Sequence, residues 1–547
     1  MLEESAKEYR EEVFSQIREG DGWRTLTYRQ LHDSAAALAA GLSRQGIRAG
    51  DRVALLSENR PEWGIAFFAI LRLDAIVLPI DKLLKKNEID AILKIAEPKL
   101  LIVSESFLPL AASLEATVPL LCLDSVGSVP TLLKVIDQGL SIQTLTPSQA
   151  IGETVAVIIF TSGTTGESKG VMLSHGNFLA NEKSFAEMFP EVFFRARFLS
   201  ILPLNHAYEL TGGFLAPLRG GGSVTYQDSL KPANLLQTLR DTKSQIMLTV
   251  PALLDVLKHG ILQQIRHCKT RSKRFQFAMR LAKFIPFMTF RRWLFHEIHA
   301  TFGGMLRYFV SGGAPLSMDT QDFFEKIGFE VMQGYGLTET GPVLTVNPLH
   351  HARKKSVGKP IPQVKIKIDE DAENEILAQG PNVMIGYYKN PAATEHMFRD
   401  GYLATGDLGY FDSDGYLYIS GRAKNVIVRA DGKKVFPEEI EERLKQIEFI
   451  KEVCVLGQKA GDDEEVMAVV FPDLEQLQAN GISIENARGV IWGSIKRVNF
   501  AMAGFKRIHE LILLDEPLPK TTTLKVKRGE LAQLIATRRK VAAESPI

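Results

Sequence analysis

The sequence predicts an α/β fold, with a large N-terminal part of α/β subdomains, a β-rich subdomain and a small α+β C-terminal block. Three observations carry this. From residue 27 to about 250, helical patterns alternate with short apolar runs, as in largely parallel sheets covered by helices. Past residue 360, strands and turns take over. After Gly421-Arg422 comes a smaller block of mixed helices and strands.

Each element follows from local chemistry. Residues 27–46, TYRQLHDSAAALAAGLSRQG, set apolar and small side chains at helical spacing, and Gly46 stops the pattern. Val53–Leu56 reads as a buried strand, Glu62–Leu73 as a helix and Ala75–Ile80 as the next strand. Residues 124–150, rich in Ser, Thr, Pro and Gln, read as a linker or surface excursion. Val155–Phe160, VAVIIF, is a strand. Residues 265–300 carry nine Lys or Arg, one acid and seven interleaved aromatics on a helix that Pro286 should divide. DSDG at Asp412–Gly415 is a hairpin turn, and Pro437-Glu438-Glu439 opens an amphipathic helix.

Composition narrows the classes. The chain of 547 residues is 45% hydrophobic and 24% charged, which excludes disordered and collagen-like chains. Its 65 Lys and Arg against 64 Asp and Glu leave a net charge of +1, so no global charge calls for nucleic acid. Cys122, Cys268 and Cys454 lie too far apart for a CxxC metal pair or a disulfide framework. No run approaches the roughly 20 apolar residues of a membrane span, and the N-terminus lacks signal-peptide order. These features lead to the expectation of a large soluble cytoplasmic enzyme.

The strand VAVIIF runs into TSGTTGESKG, Thr161–Gly170. Small residues and hydroxyls let N–H and O–H groups close around phosphate oxygens, and Lys169 adds positive charge. The spacing is not that of a Walker loop, because Ser168 precedes Lys169 where Gly-Lys-Ser/Thr would be required. A P-loop kinase or motor is thereby disfavoured.

This string, continued by Val-Met-Leu-Ser-His175, resembles the signature of the adenylate-forming superfamily of acyl-CoA synthetases, luciferases and adenylation domains. Further matches follow in the family's order: Leu204-Asn-His206 with Gly212–Gly222, Ser311-Gly-Gly-Ala-Pro315, Gln333-Gly-Tyr-Gly-Leu-Thr-Glu-Thr340, Tyr402-Leu-Ala-Thr-Gly-Asp407, Gly421-Arg-Ala-Lys424 and Pro519-Lys-Thr-Thr-Thr-Leu-Lys525. They span about Thr25 to Arg528. The SGGAPL form and the basic aromatic insertion before it resemble the long-chain fatty acyl-CoA synthetases in particular.

The resemblance implies a large adenylating domain over residues 1–420, a hinge at 421–426 and a small mobile C-terminal domain at 427–547. It implies ATP, Mg²⁺ and coenzyme A as reactants or cofactors, and a fatty acid as substrate. The phosphates of ATP fall to Thr161, Ser162, Gly163, Thr164, Thr165, Gly166 and Lys169. Glu339 and Thr161 are the implied Mg²⁺ ligands. Tyr335 offers a flat face to adenine, and Gly312, Gly313 and Ala314 the opposite backbone, within a nucleotide-binding set that also holds Gln333, Gly334 and Gly336. Thr338 serves the α-phosphate, Asp407 and Arg422 the ribose, and His206 the carboxylate and the entry of substrate.

Lys525 is the implied catalytic lysine, its ammonium bridging carboxylate and α-phosphate. Lys520 and Lys527 are nearby competitors. The family usually places Gly before this lysine, where freedom of φ allows a tight turn; here Leu524 stands there. Asp74 likewise stands where the family commonly has Gly, and Asn425 replaces a frequent acid. Lys424 occupies the hinge position.

Arg429, Lys433 and Lys434 suit the phosphates of coenzyme A, while an acyl carrier protein would use the same chemistry. An acyl–acyl carrier protein synthetase or fatty acyl-AMP ligase is therefore an alternative. A non-catalytic nucleotide- or lipid-binding protein is another, of a different class. Residues 265–300 suit peripheral contact with the inner face of a membrane.

Overall fold

The computed structural model describes the whole chain except residues 126–128, 141–147, 163–167, 228, 267–268, 350, 462, 522–523 and 545–547. It divides into two compact units. One comprises Met1–Lys365 with Ala378–Leu403, the other Ile366–Leu377 with Ala404–Ile547.

Two large sheets build the first unit. Among the described residues, one has seven strands in the order Gly386–Tyr387, Ser168–Ser174, Val155–Ser162, Ile76–Pro79, Arg52–Leu56, Leu100–Val103 and Leu120–Cys122. From Val155–Ser162 to Leu120–Cys122 its neighbours are parallel. The other has nine strands; Glu330–Tyr335, Tyr308–Ser311, Ile246–Thr249, Arg197–Ser200, Ser223–Tyr226 and Val13–Glu19 form its parallel middle. These strands are apolar runs without strict alternation, as burial on both faces requires. Val53, Ala54, Leu55 and Leu56 are fully buried.

The helix Tyr28–Arg44 forms where the spacing places it. Thr27 caps it, accepting from Gln30 N while the Gln30 side chain accepts from Thr27 N. Pro61–Leu71 and Ile76–Pro79 match the next two expected elements.

Residues 124–150 differ from the expected linker, because they hold the helix Leu132–Leu140. It buries Leu132, Val135 and Gly139. A Cβ on Gly139 would lie 1.8 Å from Ala37 O, and one on Gly41 would lie 2.4 Å from Val135, so two glycines let the backbones approach. Pro286 divides the basic aromatic region as expected: Lys269–Ala282 ends before it and Met288–Leu294 begins after it. Among the described residues no helix is long and apolar enough to cross a membrane.

In the second unit, residues 407–411 of the strand Tyr402–Phe411 pair antiparallel with the strand Leu417–Arg422 around the expected DSDG turn, where Gly415 N donates to Asp412 O at 3.1 Å. The strands Ile450–Ala460, Asp463–Pro472 and Ile508–Leu513 form a sheet. Pro437–Leu444 is the expected helix, with Pro at its first position. Ile440, Leu444, Val455, Val466 and Ile491 share its core.

Candidate active site

The phosphate-loop sequence lies on a hairpin. Its first strand runs to Ser162, two residues past the expected end, and pairs antiparallel with Ser168–Ser174, placing Thr161 opposite Lys169. Gly163, Thr164, Thr165 and Gly166 lie outside the described residues, as does the side chain of Ser162.

Lys169 stands over the ring of Tyr387, its ammonium 5.1 Å from the centroid. Tyr387 in turn donates its hydroxyl to Glu339 Oε1 at 2.9 Å. Burial, and then the Glu339 charge, push the Tyr387 phenol above its ordinary range, so it remains a donor. Tyr387 thus joins two residues that the motifs name separately. Sequence reading missed it, because Tyr387 follows the apolar run Val383-Met384-Ile385 and reads there as one more packing residue. The strand Gly386–Tyr387 pairs with Val171 and Met172, and this holds the ring beside the hairpin.

Thr338 and Glu339 sit on a short turn, Thr338–Thr340. Two fully buried asparagines fix it from within. Asn382 Nδ2 donates to Thr340 O at 3.0 Å and to Val343 O at 2.6 Å, and Asn181 Nδ2 donates to Gly341 O at 2.6 Å. Neither was legible as a site residue. A Cβ on Gly336 would lie 1.9 Å from Pro342 O, so the close return of the chain requires glycine there.

Thr161 and Glu339 are part-buried and bring hydroxyl and carboxylate oxygens, the hard donors that Mg²⁺ prefers. Glu339 Oε2 is a second carboxylate oxygen beside the one that accepts from Tyr387. Among the described residues no group of three or more His, Cys, Asp or Glu gathers, so phosphate and water would complete the shell of such a metal.

The residues expected to meet adenine come together at carboxyl ends of adjacent parallel strands. Ser311 pairs with Gln333, so Gly312, Gly313 and Ala314 leave one strand beside Gly334 and Tyr335 at the end of the next. Ligands bind at this edge of open α/β sheets. Gly313 takes φ +81°, and a Cβ on Gly312 would lie 3.1 Å from the Tyr208 ring. Tyr208 Oη donates to Val310 O at 2.8 Å.

His206 precedes the turn Ala207–Glu209, which continues into a π-helix over Leu210–Leu215, and its Nε2 lies 3.5 Å from Asp81 Oδ2. Such wide helical turns recur at functional sites. Glu209, not singled out from the sequence, is fully buried, and burial lifts its carboxyl to about 8. A Cβ on Gly213 would meet that carboxylate at 2.4 Å.

Asp407, Arg422, Lys424 and Lys525 belong to the second unit. Asp407 and Arg422 are register partners, and Arg422 Nε donates to Asp407 Oδ1 at 2.7 Å. Lys424 lies on the exposed turn Ala423–Asn425. Partial desolvation, and then the like charge of Arg422, hold it below the ordinary lysine range. Asn425 uses its neutral amide to donate to Glu438 Oε1 at 2.9 Å, a bond that an acid at this position could not make when ionised.

Lys520 pairs with Glu452 at 2.5 Å and Lys527 lies 3.4 Å from Glu530. Lys525 is exposed. Its loop is closed by Thr521 N donating to Lys525 O at 2.9 Å and by Lys527 N donating to Pro519 O at 2.8 Å. Leu524 takes φ +60°, so the tight turn survives without the glycine. Asp74 does the same at φ +54°, and its carboxylate compensates by accepting from Ser148 Oγ and, at 2.8 Å, from Gln149 N.

The expected basic set for coenzyme A is not a patch of unbalanced charge. Arg429 pairs with Asp463 at 2.8 Å, Lys433 with Asp431 at 2.6 Å and Lys434 with Glu373 at 2.6 Å.

Fold and site together define a class of protein, the AMP-forming acid–CoA ligases. The long-chain-fatty-acid–CoA ligase FadD15 of Mycobacterium bovis is 29% identical over 95% of this chain and 91% of its own length. The chain belongs to the AMP-binding enzyme family, whose model matches residues 2–388, and the family's C-terminal domain matches residues 424–538. A feruloyl-CoA synthase of an Amycolatopsis species is 28% identical over 93% of this chain and 94% of its own. The structure of ATP-bound MatB from Rhodopseudomonas palustris superposes with a TM-score of 0.76 at 26% identity, covering 97% of this chain and 98% of that one.

Proposed function

We propose that this protein is a long-chain fatty acid–CoA ligase, converting ATP, fatty acid and coenzyme A to acyl-CoA, AMP and diphosphate through an acyl-adenylate. The cluster Lys169–Tyr387–Glu339 carries the adenylation half of this reading, because it gathers a cation, a fixed donor and a hard anionic ligand beside the phosphate hairpin. Similarity to the FadD15 ligase supports the fatty acid.

In this reading Lys169 and the Thr161–Gly166 segment take the β- and γ-phosphates. Glu339 and Thr161 would hold Mg²⁺, which would supply positive charge against the phosphates. Tyr335 and the Gly312–Ala314 backbone take adenine, Thr338 the α-phosphate, and Asp407 and Arg422 the ribose. His206 borders the entering carboxylate. Lys525 draws the carboxylate oxygen and the α-phosphorus together as the P–O bond forms and diphosphate departs. The thiol of coenzyme A then attacks the acyl carbon and expels AMP, with the C-terminal block reoriented about Lys424.

The test is acyl-CoA formation by the purified protein with acids from acetate to oleate, offering free coenzyme A or holo-acyl carrier protein. Turnover rising toward the long acids with free coenzyme A is expected. Preference for feruloyl or acetyl substrates, or for the carrier protein, overturns the assignment. Absence of carboxylate-dependent ATP–diphosphate exchange overturns the enzyme itself.

A further inference from the structure

From residue 256 to residue 296 the chain contains no Asp or Glu. Among the described residues, the structure sorts cations and aromatics of this stretch into two sets. One set is internal. The rings of Phe275 and Phe295 lie 5.7 Å apart, and Phe275 lies 6.4 Å from Phe323. Arg291 Nε donates to Ile285 O at 2.7 Å and its Nη1 to Glu325 O at 3.1 Å. Arg292 Nη1 donates to Leu306 O at 2.9 Å and its Nη2 to Gly304 O at 3.0 Å. These two arginines tie the segment to the fold by satisfying backbone carbonyls.

The other set faces outward. Ala278 and Ala282 form the buried side of the helix Lys269–Ala282. Phe277, Phe284, Phe287, Phe290 and Trp293 are 47–83% exposed. Lys273, Arg274, Arg280 and Lys283 are exposed with them. So many exposed rings in one short segment mark an interaction site.

We propose that this face docks on an anionic lipid bilayer, the rings entering the interface while the four cations rest among the headgroup phosphates. Charge complementarity argues for this occupant. A second copy meeting the face symmetrically would set cations against cations. Five exposed rings together with the exposed Leu281 supply apolar surface that suits acyl chains. The docking deepens the ligase reading, since a long-chain acid partitions into bilayers, but it stands on the geometry of the face alone.

The experiment is cosedimentation of the full-length protein with phosphatidylglycerol–phosphatidylcholine vesicles and with pure phosphatidylcholine vesicles across a salt series. Tryptophan emission is followed in parallel. Wild type should bind the anionic vesicles, less so as salt rises, with a blue shift that Trp293→Phe removes. One variant carries Lys273, Arg274, Arg280 and Lys283 changed to Gln. It should bind several hundredfold less tightly, at roughly fivefold per exposed cation. A second carries Phe277, Phe284 and Phe287 changed to Ser. It should lose vesicle binding while retaining the wild-type melting temperature.

The proposal is overturned if anionic vesicles fail to bind, if neutral vesicles bind equally, or if either variant binds as wild type does. It is also overturned if the variants instead change oligomeric state or nucleic-acid binding. Vesicle binding without acyl-CoA formation would retain the docking face and discard the ligase reading; acyl-CoA formation without vesicle binding would do the reverse.

Discussion

Tyr387→Phe tests the cluster at its joint. The substitution removes one oxygen and leaves the ring under Lys169, so the contact at 5.1 Å persists while the 2.9 Å bond to Glu339 is lost. Hydrogen bonds to charged groups contribute about 1.5–3 kcal/mol. If that bond orients Glu339, kcat/KM for Mg-ATP in carboxylate-dependent ATP–diphosphate exchange should fall roughly 10- to 100-fold. The Mg²⁺ concentration for half-maximal exchange should rise with it. Conversion of supplied acyl-adenylate to acyl-CoA should stay within a few-fold of wild type, because metal-bound ATP has no part in that step. Wild-type exchange with wild-type Mg²⁺ dependence would refute the reasoning. Equal loss in both half-reactions would point instead to general damage, which the melting temperature would reveal.

Lys525→Ala should slow adenylation by about 10²–10³ while sparing thioesterification of supplied acyl-adenylate, both read by rapid quench. Leu524 occupies the left-handed region, which costs an L-residue roughly 1–2 kcal/mol. Leu524→Gly should therefore be more stable than Leu524→Ala by about 1 kcal/mol in urea unfolding of the C-terminal unit. Glu209 has its carboxyl raised from 4.5 to about 8, so between those values the folded chain holds a proton that the unfolded chain has released. Its contribution to stability should fall by up to about 1.4 kcal/mol per pH unit across that window and be lowest above pH 8. Glu209→Gln should flatten that slope, measured as melting temperature against pH.

Much of this molecule was legible because its signals are local. The helix Tyr28–Arg44 announces itself by spacing and by Thr27, and the DSDG turn by its residue types. The helix Leu132–Leu140 was hidden because its flanks have linker composition, and its packing depends on Gly41, nearly a hundred positions earlier. The residues expected to meet the nucleotide could be proposed from ordered motifs, but the residues that hold those motifs in place could not. Asn181, Asn382 and Tyr387 act on carbonyls and a carboxylate far along the chain, so no window of sequence contains both partners. The same limit applies to Arg291 and Arg292. In the sequence they are two more cations in a basic run, and only the fold shows their guanidinium groups turned onto backbone carbonyls.

The hairpin that carries the phosphate segment has an electrostatic consequence of its own. Where a phosphate loop opens a helix, the aligned peptide dipoles lend the anion about half a positive charge. Adjacent antiparallel strands largely cancel their dipoles, so the pair Val155–Ser162 and Ser168–Ser174 has little such field to lend. On the proposed reading, a polyphosphate meeting this edge meets the discrete charges of Lys169 and of the metal it brings, without the added field of a helix dipole. Its affinity should therefore be unusually responsive to ionic strength and free Mg²⁺, so nucleotide occupancy would follow the ionic composition of the surroundings.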